Sequence, residues 1–106
     1  MPTFKVLKTA IQNRRCVMLV AQHWRRTLCP HAIGYKNNQL KVLAYQYGGG
    51  SASGLPKAGG WRTFVVDEIL RAEIIEGPWR TSDDYLVKLE TTFDRVEHRV
   101  RPGKSG

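Results

Sequence analysis

The sequence predicts a small, mainly β protein of the α+β class, in which five short strands form a strongly bent antiparallel sheet or a barrel, with a short helix before it and another helix after it. Three observations lead there. Apolar runs of strand length recur between residues 16 and 76, and only one of the connections between them is long. The chain, at 106 residues, has room for one domain with a core of modest size.

Phe4 to Asn13 reads as a helix because Phe4, Leu7, Ala10 and Ile11 recur at three- and four-residue spacings, with Thr3 placed to cap it. At Cys16 the period changes. "CVMLVA", Cys16 to Ala21, is a continuous apolar run, and the polar turn "QHWRR" leads to a second strand, Thr27 to Ile33. Pro30 lacks a backbone N–H and marks that strand as an edge strand or a bulged one. Gly34, Asn37 and Asn38 supply the backbone freedom of a hairpin turn. Leu40 to Tyr47 alternates, with Leu40, Val42, Ala44 and Gln46 on one face and Lys41, Leu43, Tyr45 and Tyr47 on the other. "WRTFVVD", Trp61 to Asp67, is the fourth strand, and Ile69, Leu70, Ala72, Ile74 and Ile75 describe a turn into the fifth. Gly77 and Pro78 break the sheet. Ser82 is placed to cap a final helix, with Asp83 and Asp84 in its first turn. Leu86, Leu89, Phe93, Val96 and Val100 would form its apolar stripe, which packs on the sheet, the favoured reading, or on a second copy in a homodimer. "RPGKSG" reads as a frayed tail.

Charge is the most informative total. Seventeen Lys and Arg stand against nine Asp and Glu, and the excess sits early: residues 1–77 carry eleven basic and four acidic groups, residues 78–106 six and five. A basic surface favours polyanions, meaning nucleic acid, nucleotides or an acidic membrane face, although solubility or an acidic protein partner explains the same balance. No apolar run reaches the roughly 20 residues of a membrane span and the start lacks a secretory signal, so the expected compartment is the cytoplasm. Cys16 and Cys29 read as reduced core thiols. Cys16, His23, Cys29 and His31 do not match the spacing of a zinc module, and no metal or cofactor is expected.

Catalysis has little to stand on. His23, His31 and His98 have no evident carboxylate partner, and no nucleophile elbow, Walker loop or dinucleotide fingerprint is present. Anion binding has more. Arg25 and Arg26 lie at the entry to the second strand and Arg62 sits beside Trp61 on the fourth. Guanidinium groups match phosphate oxygens with forked donors, and a neighbouring ring can stack on a base. Trp61 and Phe64 are equally readable as core residues. Between the third and fourth strands lie thirteen residues, Gly48 to Gly60, six of them glycine. Connections of that length are functional or disordered. Ser51, Ser53 and Lys57 on it, and its junction with Trp61 and Arg62, suggest a lid over the basic cluster; a featureless insertion is the alternative.

In this order and spacing, "IQNRR", an apolar strand, "RRTLCPHAIGY", "LKVLAYQY" and "WRTFVVDEI" resemble the WYL domain family over about residues 4 to 79. The resemblance implies an Sm-like or SH3-like five-stranded barrel at 1–79, with a helical extension and tail at 80–106. It also implies a non-catalytic sensor whose ligand is nucleic acid, often single-stranded, or a nucleotide-like anion, in bacterial transcription regulation, phage defence or the DNA damage response. Arg26, His31 and Arg62 stand at the family's ligand-contacting positions, and Arg25, Gln46, Ser51, Ser53 and Trp61 complete the expected pocket. Leu40, Lys41 and Val42 stand where the family has Trp-Tyr-Leu, and Glu68 replaces an arginine. No winged helix precedes Phe4, so the chain acts alone, works beside a separate DNA-binding protein, or is a piece of a longer one. A second reading, from another class, is an interaction module that recruits an acidic protein through its final helix or a strand edge.

Overall fold

The computed structural model describes residues 2–49 and 59–101. In chain order these form α1 (Thr3–Asn13), β1 (Cys16–Ala21), β2 (Trp24–Lys36), β3 (Gln39–Gly49), β4 (Gly60–Val65), a 3-10 turn (Val66–Glu68), β5 (Arg71–Ile75), α2 (Tyr85–Thr92) and β6 (Arg95–Arg99). The protein is mainly β. All the ladders are antiparallel, in the order β4-β3-β2-β1-β5, with β6 paired to β2. The expected five strands are therefore six. No ladder joins β4 to β5 among the described residues, so the sheet has two ends and a closed barrel is not shown.

Local chemistry explains the connections. Asn37 and Asn38, both at positive φ (52° and 65°), form the two-residue turn between β2 and β3, as their side chains suggest. Gln22 and His23 do the same between β1 and β2 (54° and 69°), with Ala21 opposite Trp24. Neither residue advertises such a turn, and the five-residue "QHWRR" loop contracts to two residues. Arg14 closes α1 in the left-handed region (φ 52°), its N–H directed to the carbonyls of Ala10 and Ile11. Pro2, rather than Thr3, holds the N-cap position.

β2 is the spine. One edge pairs with β3, while the other pairs with β1 through Trp24–Leu28 and with β6 through Ala32–Tyr35. Pro30 stands between these two partners, where the register with β3 slips between Pro30 and Ala32. It therefore occupies an already interrupted stretch of a bulged central strand, not an edge. Gly34 is not a hairpin residue. It lies inside β2 opposite Val96, and a Cβ there would strike the Arg95 carbonyl and come within 2.9 Å of the Val96 Cα. Gly34→Val is accordingly expected to push β6 off the sheet at a cost of about 1–3 kcal/mol, the range for overpacking. Amide exchange should quicken first in Arg95–Arg99; unchanged protection there would refute the assignment.

The terminal segment corrects the sequence most. The helix stops at Thr92, and Phe93 is extended (φ −122°, ψ 146°). Thr91 and Thr92 are weak helix formers. Asp94 then pins the chain to the β2–β3 turn: its N–H donates to the Tyr35 carbonyl at 2.7 Å and its carboxylate accepts the Asn37 N–H at 2.9 Å. Leu89, Phe93 and Val100 are buried as the stripe requires, but Leu86 is 50% exposed, Val96 faces out of β6, and Tyr85 is buried in their place. Apolar residues at three- and four-residue spacing serve a helix–turn–strand as well as one long helix. Ser82 is not the N-cap; Asp84 is. Tyr85, Leu89, Phe93 and Val100 share one core with Leu7 and Ile11 of α1 and with Val17, Leu28, Ile33, Val42 and Phe64 of the sheet. No helix among the described residues is long and apolar enough to cross a membrane.

Candidate functional site

Residues opposite one another in an antiparallel ladder share a face, and alternate residues of a strand change face. Arg62 stands opposite Ala44 and Phe64 opposite Val42, while Gln46 lies two residues along from Ala44. Arg62, Phe64 and Gln46 therefore face the same way. Arg26 joins them from β2. Its Nη1 donates to Gln46 Oε1 at 3.3 Å and its guanidinium lies 4.9 Å from the centre of the Phe64 ring. Burial depresses the Arg26 pKa, and the neighbouring charge of Arg62 lowers it further. Two distant segments thus converge two guanidinium groups, as the sequence suggests.

The electrostatics of this cluster are unusual. Arg26 is only 3% exposed. All nine Asp and Glu lie within the described residues, and the ion pairs recorded among those residues, with Arg15, Lys36, Arg71 and Arg95 as the cations, do not include Arg26. Arg26 instead donates to two amide oxygens, Gln46 Oε1 at 3.3 Å and Gln22 Oε1 at 3.2 Å. Both bonds are longer than the ~2.7–2.9 Å of a charge-assisted pair. Its buried Nε has no hydrogen-bond partner among the described residues. Gln46 is fully buried, and its Nε2 donates to the Gly48 carbonyl at 2.9 Å, which turns Oε1 toward Arg26. Gly49, at φ 86°, lets the end of β3 lie against β2; a Cβ there would come within 2.6 Å of the Arg26 Cα. The cluster sits where β3 ends and β4 begins.

The other expected pocket residues lie elsewhere. Arg25, one residue from Arg26, is exposed and alternates to the opposite face. Ser51 and Ser53, with Lys57 and the lid drawn from them, lie outside the described residues. His31 and Trp61 do not share the pocket with Arg26 and Arg62. Trp61 neighbours Arg62 in sequence and so takes the other face, edge-on to Tyr45 (5.2 Å between centroids) and stacked on Tyr85 (5.8 Å). Its indole N–H donates to the Asp84 carboxylate at 2.7 Å. His31 is the extra residue of the bulge and turns to the same side, 4.7 Å from both Trp61 and Trp79. It is 1% exposed. Its Nδ1–H donates to the Cys29 carbonyl at 2.8 Å, leaving Nε2 to accept from the Thr81 hydroxyl at 2.8 Å. Burial pushes its pKa down to about 4. Both ring nitrogens are bonded within the fold, and the Thr81 contact ties the 78–85 segment to the sheet.

Cys16 and Cys29 continue that buried layer, with sulfurs 3.6 Å apart, and Arg80 donates its N–H to Cys29 Sγ at 3.1 Å. Burial pushes the Cys29 thiol up to about 12. No group of three or more His, Cys, Asp or Glu among the described residues is placed to hold a metal. The residue that sequence reasoning missed is Gln22, whose role follows only once the turn is known to be two residues long. Comparison with protein-family models, with curated proteins and with solved structures found no match.

Proposed function

We propose that this protein is a non-catalytic binding module for phosphate-bearing ligands, single-stranded nucleic acid or a nucleotide, held by Arg26 and Arg62 with Gln46 orienting the first. One observation carries the reading. A guanidinium 3% exposed stands beside a second one, with amide oxygens rather than carboxylates as its partners. Buried charge of this kind is costly without a counter-charge, and an incoming anion supplies it. The strand order, with a 3-10 turn joining β4 to β5, is compatible with an Sm-like or SH3-like barrel; the WYL-like reading, with a regulatory role in the cytoplasm, rests on the sequence resemblance. Departures at Leu40–Val42 and Glu68 leave the arginine pair as the principal contact.

Fluorescence anisotropy with a labelled single-stranded oligonucleotide tests this. Neutralising two phosphates is expected to give a slope of about −1.4 in log affinity against log salt, at about −0.7 per phosphate for single strands. Arg62→Ala is expected to weaken binding by about 1–3 kcal/mol. Affinity indifferent to both salt and Arg62 would contradict the proposal. The second reading, recruitment of an acidic protein, draws on Leu86 and Val87, which are 50% and 62% exposed on α2. Under that reading a ligand-induced chemical-shift change would centre on α2 and leave Arg26 and Arg62 unmoved.

A further inference from the structure

We infer that Gln22 is an internal competitor for the anion: its side-chain oxygen occupies the place on Arg26 that a phosphate oxygen takes when ligand binds, so a turn residue sets the affinity of the site. The inference rests on the proposed function and adds its regulation.

The two amide partners of Arg26 differ in kind. Gln46 is fully buried and its amide is fixed by the Gly48 carbonyl, so its oxygen is a permanent part of the site. Gln22 is exposed, stands on the two-residue turn at φ 54°, and makes one side-chain hydrogen bond among the described residues, the 3.2 Å bond from Arg26 Nη2. The two oxygens lie against the two terminal nitrogens of one guanidinium, which is the arrangement a forked oxyanion adopts. An uncharged amide at that distance satisfies the donor without neutralising it. The contact is therefore strong enough to hold Arg26 in place and weak enough to yield to phosphate. Phe64 covers one face of the guanidinium and Gln46 its inner edge, so Gln22 is the partner on the solvent side and the one an arriving anion meets. Nε, unbonded and buried, offers the entering ligand a further donor.

Two substitutions separate this from a merely structural role. Gln22→Asn keeps a residue that tolerates positive φ but is too short to reach Arg26. It is expected to bind a short single-stranded oligothymidylate about threefold to tenfold more tightly than the parent, the value of one displaced hydrogen bond. Gln22→Glu places a carboxylate on the same nitrogen and is expected to bind more than tenfold more weakly at low salt, with a raised melting temperature in the absence of ligand. Inorganic phosphate, titrated in parallel, should rank the three proteins in the same order. The Arg26 Nε–H resonance, followed in each titration, reports whether ligand occupies the site. If it responds in the parent while all three proteins bind equally, the competitor role is overturned and the site stands. If Gln22→Glu binds as tightly as Gln22→Asn, the role is likewise overturned. If Arg26 never responds, the site itself falls, and the inference with it.

Discussion

Replacing Arg26 with methionine is expected to stabilise the protein without ligand and to remove its affinity for phosphate. Most substitutions of a residue 3% exposed destabilise. Here the buried group is a cation with a second guanidinium beside it, no carboxylate against it, and an Nε left without a partner among the described residues. Methionine fills similar volume over the Phe64 ring and carries no charge to desolvate; Gln46 keeps its bond to Gly48 and loses the long one that Arg26 gives to its Oε1, a cost set against the relief of the buried charge. The gain should be about 1–3 kcal/mol, the cost of an unsatisfied buried polar group, read as a higher denaturant midpoint with unchanged slope. Oligonucleotide affinity should fall to the level of non-specific attraction. This opposition of stability and binding is the signature of a functional residue. A variant that loses stability and binding together would instead make Arg26 a structural cation, held for its contacts with Gln22, Gln46 and Phe64.

Acid should loosen the other face of the sheet. His31 has an ordinary pKa of 6.5 in the unfolded chain and about 4 in the fold, principally because it is buried. Between these values the unfolded chain binds the proton more readily than the native one, so stability rises with pH across that window and is lost as pH falls from 6.5 toward 4. At 1.36 kcal/mol per pH unit the full effect approaches about 3 kcal/mol. The contacts released are those His31 makes with Thr81, Trp79 and Tyr85, so the 78–85 segment should loosen first. Asp84 and Asp94 also lie below the usual carboxylate range, held there chiefly by the Trp61 indole and the Asn37 backbone N–H. Their contributions vanish only at lower pH and do not confuse the measurement. Stability of the parent and of His31→Phe, determined by denaturant titration between pH 4 and 7, checks the sign. The parent should lose stability on acidification where the variant stays level, and parallel curves would show that His31 is not the titrating group.

The strands were legible because their signals are local. Cys16–Ala21 and the alternation of Leu40 to Tyr47 carry their own period, and the missing N–H of Pro30 marks an edge or a bulge, between which the register decides. The last third was not. Leu89, Phe93 and Val100 fit a helical stripe, and only the tertiary bonds of Asp94 to Tyr35 and Asn37 turn the chain back to pair with β2. The site was half legible for a similar reason. Alternation along β4 separates Arg62 from Trp61, which the sequence shows, and Ala44 relays Arg62 toward Gln46 and Arg26, which only the register shows. His31 lies five residues beyond Arg26, so alternation along β2 alone sets it with Cys29 on the Trp61 face, and the bulge then keeps Ala32 on that face as well. Gln22 was invisible because nothing in Gln-His signals a turn with two positive φ angles.

The most direct measurement is the response of the arginine Nε–H and tryptophan indole resonances to a short single-stranded oligonucleotide. The expected result is a shift of Arg26 and Arg62 together, saturating at one ligand, while the Trp61 indole, bonded to Asp84 on the other face, stays in place. Movement of Trp61 and Arg25 with Arg26 and Arg62 unmoved would contradict the account.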